Sequence, residues 1–205
     1  MKTSEAFWDG VATKYAAQPI ADEKAYAWSL ERTASYLGAG SQVLEVGCGT
    51  GTTALRLAGA AGHITATDLS GRLIDVARAR AAEQGIANVD FRHAPLEADQ
   101  GGPFDAVLAF NLLHLIDDLP AALSALRAMV RPGGVLVSKT ACLGERPGVL
   151  PLVIRVMQWL GKAPSVQFLK IDELERAIEA AGFALVETST HNVKPAVRYL
   201  VARRV

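Results

Sequence analysis

The stretch Val43–Gly51, VLEVGCGTG, decides the fold because it joins an apolar strand to a glycine-rich turn. Three apolar residues lead directly into glycines at 47, 49 and 51, and the residues that follow have helical spacing. Glycine is needed where backbone angles exclude a Cβ atom or where a ligand approaches the main chain closely. The stretch therefore predicts a strand, a turn and a helix start, with a ligand lying on the turn.

The spacing of these glycines argues against a dinucleotide as the ligand. In the dinucleotide fingerprint Gly-x-Gly-x-x-Gly a third glycine would stand at position 52, and this chain has Thr52 there. Glu45 is a second discriminator, because a carboxylate beside a pyrophosphate is repulsive whereas one beside an ammonium or sulfonium group is favourable. The turn therefore favours a cationic ligand over NAD.

Asp68 adds a second recognition element, about twenty residues after the turn. It closes the strand-like run 63–67, and an acid at the end of the second strand is positioned to bind the two hydroxyls of a ribose. A nucleoside with a positively charged tail is S-adenosylmethionine, which we predict as the ligand.

Three segments together resemble the class I S-adenosylmethionine-dependent methyltransferases, in particular the branch that includes quinone-biosynthesis and other small-molecule methyltransferases. They are the VLEVGCGTG turn, the acid in TATDLS at 65–70 and the segment VRPGGVLV at 130–137. The resemblance implies an α/β, doubly wound, Rossmann-like sheet of seven strands in the order 3-2-1-4-5-7-6, with only the last strand antiparallel. It also implies S-adenosyl-L-methionine as cofactor and S-adenosyl-L-homocysteine as product.

Composition limits the other functional classes. Half of the 205 residues are hydrophobic, so one α/β domain with a large core is expected. The 21 basic and 21 acidic residues cancel, which disfavours nucleic acid as a partner. Cys48 and Cys142 lack the spacing of a zinc site or a disulfide framework, so no metal is expected. With no signal core and no transmembrane segment of ~20 apolar residues, a cytoplasmic protein is expected.

Residues 1–40 are expected to form a helical N-terminal cap within a single methyltransferase domain, 1–205. Asp22 is placed to cap a helix that ends before Gly38. The resemblance implies that Tyr15 covers the sulfonium end of the cofactor. The alternative is that this residue and its aromatic neighbour Trp8 only attach the first helix to the core.

A third strand is predicted at 88–92, and the loop that follows it departs from the family pattern. Family members present an acidic side chain to the adenine amino group here, and the corresponding position is Pro95 in this chain. Adenine would then be held by main-chain groups and by apolar contact with Leu69, Ala94 and Leu96. The alternative is that Glu97 takes over the acidic role.

The apolar run Phe104–Phe110 predicts a buried strand whose carboxyl end faces the ligand crevice. In open α/β sheets ligands bind outside these strand ends, so Asn111 and His114 are placed where methyl donor and acceptor would meet. His114 is the candidate base because the intrinsic pKa of histidine is near neutrality. Alternatively, it packs against the cofactor or caps the next helix.

A lid-like insertion is expected at 140–170, after a fifth strand predicted at Val135–Lys139. Its segment 149–160 is apolar almost all round, which is typical of a buried helix. The side chains that a lid would supply to an acceptor pocket are Leu150, Val153, Met157 and Trp159. A peripheral membrane helix should instead carry basic residues along one face, and their scarcity here favours the lid.

The last part of the chain predicts a helix and a hairpin. Asp172, with Glu175 three residues later, is typical of a helix start, and this helix is expected to end at Ala181. The short link between the runs 183–188 and 196–203 implies two antiparallel strands.

Together these patterns predict a methyltransferase for a small-molecule, largely apolar acceptor. The candidate catalytic residues are His114 and Tyr15. The candidate cofactor-binding residues are Tyr15, Glu45, Gly47, Cys48, Gly49, Gly51, Asp68, Leu69, Ala94, Pro95, Leu96, Asn111 and Leu112. The alternatives are a lipid or quinone methyltransferase with peripheral membrane contact, and a non-catalytic protein that binds S-adenosylmethionine.

Overall fold

The computed structural model describes residues 4–98, 100–145, 148, 157–158, 163–191 and 195–205. The strands are β1 (Gln42–Val46), β2 (His63–Asp68), β3 (Val89–His93), β4 (Phe104–Phe110), β5 (Val130–Cys142), β6 (Phe183–His191) and β7 (Ala196–Arg204). The α-helices are α1 (Ser4–Ala16), α2 (Glu23–Ala34), α3 (Thr52–Leu57), α4 (Gly71–Gln84), α5 (Leu119–Met129) and α6 (Ile171–Ala180).

These strands form one sheet in the order β3-β2-β1-β4-β5-β7-β6. Strand β7 runs antiparallel to both of its neighbours, and the other ladders are parallel. The predicted Rossmann-like topology with a reversed last strand is therefore confirmed. The order reverses between β1 and β4, which opens a ligand crevice at the carboxyl ends of these two strands.

Helices cover both faces of the sheet, as a largely parallel sheet requires. On one face α2 and α4 contribute the buried side chains of Leu30 and Ile74. On the other face α5 and α6 contribute Leu123 and Ile178. Because side chains alternate along a strand, Glu45 of β1 lies on the α2 side of the sheet.

Several element boundaries differ from the sequence-based expectations. The helix capped by Asp22 ends at Ala34, before the predicted end, because the N–H groups of Tyr36 and Leu37 bond back only three residues, to carbonyls of the last turn. Strand β5 is longer than predicted at both ends, since Val130 pairs with Phe104 of β4 and the antiparallel ladder with β7 extends to Cys142. Strand β6 likewise includes His191, which was expected in the connecting loop.

The start of α6 is also different from the expected one. The helix begins at Ile171 instead of after Asp172, and Glu173 rather than Glu175 makes the capping contact. The backbone N–H of Lys170 donates to the Glu173 carboxylate at 2.9 Å.

Part of the predicted lid, 146–147, 149–156 and 159–162, lies outside the described residues, and this part includes Leu150, Val153 and Trp159. Met157 is described, and its side chain is exposed. Among the helices that the structure describes, none combines the length and the apolar character needed to cross a bilayer.

Candidate active site

The glycine turn between β1 and α3 is fixed by contacts with the next strands. The N–H of Cys48 donates to the Thr67 carbonyl of β2 at 2.9 Å. Gly47 has a φ of +66°, and a Cβ atom there would stand only 2.7 Å from the Leu112 side chain. Leu112, which follows β4, therefore packs directly against the turn, and a larger residue than glycine would displace it.

Asp68 holds the same turn from the end of β2. Its carboxylate accepts hydrogen bonds from the backbone N–H groups of Gly49 and Ser70, each at 2.8 Å. Burial raises the pKa of this carboxyl, and the two backbone hydrogen bonds act in the opposite direction. A carboxylate has about four acceptor sites, so Asp68 still has capacity for the hydroxyls of a ligand.

Helix α1 covers this side of the turn. Tyr15 lies over Gly49, where its ring edge is 3.5 Å from the position of an added Cβ atom. The ring of Trp8 packs edge-on against Tyr15, with centroids 5.7 Å apart. Asp9 attaches the helix to the loop after β2 by accepting a hydrogen bond from the Ser70 hydroxyl at 2.5 Å. Sequence reasoning missed Asp9, because an acid on a surface helix carries no distinguishing pattern.

A cavity of about 910 Å³ opens beside the turn. It lies between the end of α1, the helix α2 and the carboxyl ends of β1, β4 and β5. The cavity brings together five of the residues predicted from the sequence, namely Tyr15, Glu45, Gly47, Cys48 and Asn111.

The other predicted residues are not among the described residues that line this cavity. They are Gly49, Gly51, Asp68, Leu69, Ala94, Pro95, Leu96, Leu112 and His114. The Pro95 carbonyl accepts hydrogen bonds from the Gln100 side chain and the Ala98 N–H, so the loop closes on itself. The residues expected to bind the nucleoside therefore lie outside the lining of this cavity. Their role in binding stays a prediction.

Glu45 is the most deeply buried acid of the cavity wall, with 1% of its surface exposed. Within the described part of the chain its Oε2 atom has no hydrogen-bond partner. Burial raises the pKa of this carboxyl to about 8, although hydrogen bonds from the Ala54 backbone and the Thr53 hydroxyl oppose the rise. A buried unpaired acceptor is unfavourable by about 1–3 kcal/mol, which a cationic ligand group would relieve.

Lys139 is a second buried charge in the cavity that sequence reasoning missed. Only 8% of this residue is exposed, and its ammonium nitrogen lies 5.0 Å from the centroid of the Tyr26 ring. Burial lowers the pKa of the amine, and the carboxylate of Asp22 acts in the opposite direction. The sequence feature that could have identified this residue is that it is the lone charged residue of the strand sequence VLVSKTA, 135–141.

Asn111 stands at the carboxyl end of β4 with a φ of +54°. Residues other than glycine are uncommon in this left-handed region, where asparagine is among those best tolerated. Its N–H donates to the Lys139 carbonyl at 2.6 Å, which fixes the strained backbone at the cavity wall.

His114 is placed differently from the expectation of a near-neutral base at the crevice. Its Nδ1 atom is buried and has no hydrogen-bond partner among the described residues. Burial lowers the pKa of the imidazole to about 4, so the ring is neutral and weakly basic at pH 7. A catalytic role of His114 stays a prediction.

Comparison with known proteins gives the family. The family model described as "Methyltransferase domain" matches residues 19–188. A curated ubiquinone biosynthesis O-methyltransferase from Xanthomonas axonopodis pv. citri (strain 306) is 32% identical over 160 residues, which cover 74% of this chain and 66% of the relative. The chain thus spans slightly less than two thirds of that relative's length.

Two solved structures show the same fold. The N-methyltransferase NodS from Bradyrhizobium japonicum WM9, in complex with S-adenosyl-l-homocysteine, has a TM-score of 0.72 at 18% identity, covering 99% of both chains. The [4+2]-cyclase SpnF has a TM-score of 0.79 at 18% identity, covering 98% of this chain and 94% of its own. With the family model matching most of its length, the chain belongs to the class I S-adenosylmethionine-dependent methyltransferase family.

Proposed function

We propose that this protein transfers a methyl group from S-adenosylmethionine to a small, largely apolar acceptor, and that it acts in the cytoplasm. The observation that carries the proposal is the unpaired Glu45 carboxyl, buried in a cavity beside the glycine turn. A cationic amino-acid tail is the kind of ligand that such a group accommodates.

The residues on both sides of the turn fit this cofactor. Glu45 would accept hydrogen bonds from the ammonium group, and the main chain of Gly47 and Cys48 would lie against the amino-acid part. The free acceptor sites of Asp68 would take the ribose hydroxyls. Tyr15, which already covers Gly49, would exclude water from the reacting centre.

S-adenosylmethionine, when bound, supplies an activated methyl group, so the chain's main task is to align an acceptor with it and keep water away. The acceptor part of the cavity is suited to an apolar molecule. The apolar side chains of this part are Pro19, Ile20, Phe110, Ala141 and Val197. A volume of about 910 Å³ is within the range of small-molecule sites.

Transfer of a labelled methyl group from S-adenosylmethionine to a panel of phenols and catechols tests the proposal. We expect label in at least one acceptor, with lower activity in Glu45→Gln. The exposed acid Glu31 supplies the matched control, Glu31→Gln, which should behave as the unaltered protein does. Binding of the cofactor without transfer to any acceptor would favour a non-catalytic protein instead.

A membrane-surface quinone methyltransferase is the second candidate. It is favoured by the names of the curated relatives, which are ubiquinone biosynthesis enzymes. Co-sedimentation with vesicles of neutral and anionic lipids separates the two proposals. Vesicle binding would favour the second candidate, and a protein that stays in the supernatant would favour the first.

A further inference from the structure

We propose that Lys139 recognises an anionic oxygen on the acceptor, either a carboxylate or the oxygen of an acidic phenol. The inference rests on the proposed function, because it names a chemical class of acceptor for the same cavity. The glycine turn does not bear on this choice of acceptor, since Lys139 belongs to β5.

The ammonium group of Lys139 makes no direct contact with an anionic group in the described part of the chain. It lines the cavity, yet within the described residues it makes no ion pair and no hydrogen bond through its side chain. Its Nζ atom lies over the ring of Tyr26, 5.0 Å from the ring centroid, in a cation–π contact. A buried cation is costly unless an opposite charge accompanies it, and a cation–π contact compensates only part of this cost.

The acids of the cavity wall are already engaged. Asp22 caps α2 by accepting a hydrogen bond from the Ala25 N–H at 2.9 Å. Glu23 forms an ion pair with Arg56 at 2.8 Å, so each of these two charges has a partner. Glu45 has a pKa of about 8 and is therefore largely uncharged at neutral pH in the free protein. Lys139 therefore forms no ion pair with these acids among the described residues, and the charge of Asp22 acts on it only without direct contact.

The remaining arginine of the wall is engaged as well. Arg80 donates hydrogen bonds to the Thr50 hydroxyl at 2.8 Å and to the Ala16 carbonyl at 2.9 Å. These bonds connect α4 with the turn and the end of α1. Arg80 therefore serves the structure of the turn, and it does not compete with Lys139 for an acceptor.

His191 supplies a second potential donor at the same end of the cavity. Its Nε2 atom is buried and has no partner among the described residues. The ring packs edge-on against Trp28, with centroids 4.9 Å apart. Burial lowers the pKa of this imidazole, and the nearby charge of Lys139 lowers it further. In the tautomer protonated at Nε2, the neutral ring would donate a hydrogen bond to the same anion.

Two matched ligand pairs test the inference and separate the two sources of the anion. The first pair is naphthoate and naphthamide, which differ in charge at a carboxyl position. The second is para-nitrophenol and para-nitroanisole, which differ in the acidity of the oxygen. Each is titrated by calorimetry, near neutral pH, into the full-length protein saturated with S-adenosyl-homocysteine. The protein variants are Lys139→Met, Lys139→Arg and the control Lys24→Met, which removes an exposed charge on α2.

We expect the anionic member of at least one pair to bind about tenfold or more tightly than its neutral partner. The preference should disappear in Lys139→Met, persist in Lys139→Arg and be unchanged in Lys24→Met. S-adenosyl-homocysteine should bind all variants alike, which shows that they fold.

The inference would be overturned if the protein binds S-adenosyl-homocysteine but prefers neither anion, or if Lys139→Met keeps the preference. Either result would leave the proposed function unaffected. Failure to bind S-adenosyl-homocysteine would instead contradict the proposed function.

Discussion

The two sides of the glycine turn differ in how their polar groups are satisfied. On the α1 side, the carboxylate of Asp68 accepts two backbone hydrogen bonds, and Asp9 accepts one from the Ser70 hydroxyl. On the cavity side, Glu45 has an unpaired oxygen and Lys139 forms no ion pair with any of the described residues. The polar groups named on the α1 side have hydrogen-bond partners without a ligand, whereas this oxygen of Glu45 and the ammonium group of Lys139 have none within the described part of the chain.

This difference indicates that the α1 side fixes the shape of the turn, whereas the cavity side recognises the ligand. Satisfied buried groups rigidify the backbone, so the turn holds its shape before any ligand arrives. Unsatisfied buried groups carry a cost that a complementary ligand removes. We therefore expect substitutions on the α1 side to damage the shape of the turn, and substitutions on the cavity side to change which ligand binds and at which pH.

The largest effect is expected for Asp68→Ala. It removes a charged acceptor for the ribose and also releases the N–H groups of Gly49 and Ser70, so S-adenosyl-homocysteine should bind about 2–3 kcal/mol more weakly. Calorimetric titration measures the loss. Asp75→Ala, which removes an exposed acid on α4, is the matched control and should bind normally. A loss of only a few tenths of a kcal/mol would mean that Asp68 does not face the ribose.

A smaller, pH-dependent effect is expected at Glu45. Its pKa is about 8 in the free protein, and a bound ammonium group favours the ionised form, so binding releases a proton. The affinity for S-adenosyl-homocysteine should therefore rise as the pH increases from about 6 to about 8. Glu45→Gln should remove this rise and cost about 1–2 kcal/mol at the alkaline end.

The same pKa shift predicts the pH dependence of stability. The pKa of the Glu45 carboxyl lies above its usual value of 4.5, so the folded state binds a proton more tightly than the unfolded state. The free energy of unfolding should fall as the pH rises between these two values, and Glu45→Gln should reduce the fall. Chemical denaturation at several pH values measures it, and equal slopes in both proteins would contradict the buried, unpaired state of Glu45.

The smallest effect concerns the adenine loop. If main-chain groups hold adenine, Pro95→Asp should leave the affinity for S-adenosyl-homocysteine unchanged or raise it by ~1 kcal/mol through a new charged hydrogen bond. Glu97→Gln should then have no effect. If Glu97 holds adenine instead, Glu97→Gln should cost a similar amount, and Pro95→Asp should lose affinity because two carboxylates would share the site. Titration of both variants at one ionic strength distinguishes the two cases.

The secondary-structure elements around the turn were predictable from the sequence because glycine spacing and apolar runs are local signals. The stretch 43–51 specifies a strand, a turn and a helix, and the run Phe104–Phe110 specifies a buried strand. The strand order came from the family resemblance, and the pairing of β7 between β5 and β6 agrees with it. Boundaries were less predictable, since ladder contacts between distant segments extended β5 and β6 beyond their apolar cores.

The site was predictable only where a residue's role is local. Glu45 lies near the end of β1, Gly47, Cys48 and Asn111 directly follow strand ends, and all four line the cavity. Lys139 is a lone charge in its strand sequence, but its burial in the cavity wall depends on Tyr26, more than a hundred residues earlier, which packs against it. The weak basicity of His114 likewise results from burial that its own sequence neighbourhood does not reveal.

The most direct test of the central claim is a pair of calorimetric titrations, one with S-adenosyl-homocysteine and one with NAD. The account predicts that S-adenosyl-homocysteine binds and that NAD does not, because Thr52 breaks the dinucleotide spacing and a pyrophosphate, unlike an ammonium group, offers Glu45 no positive charge. Tighter binding of NAD than of S-adenosyl-homocysteine would contradict it.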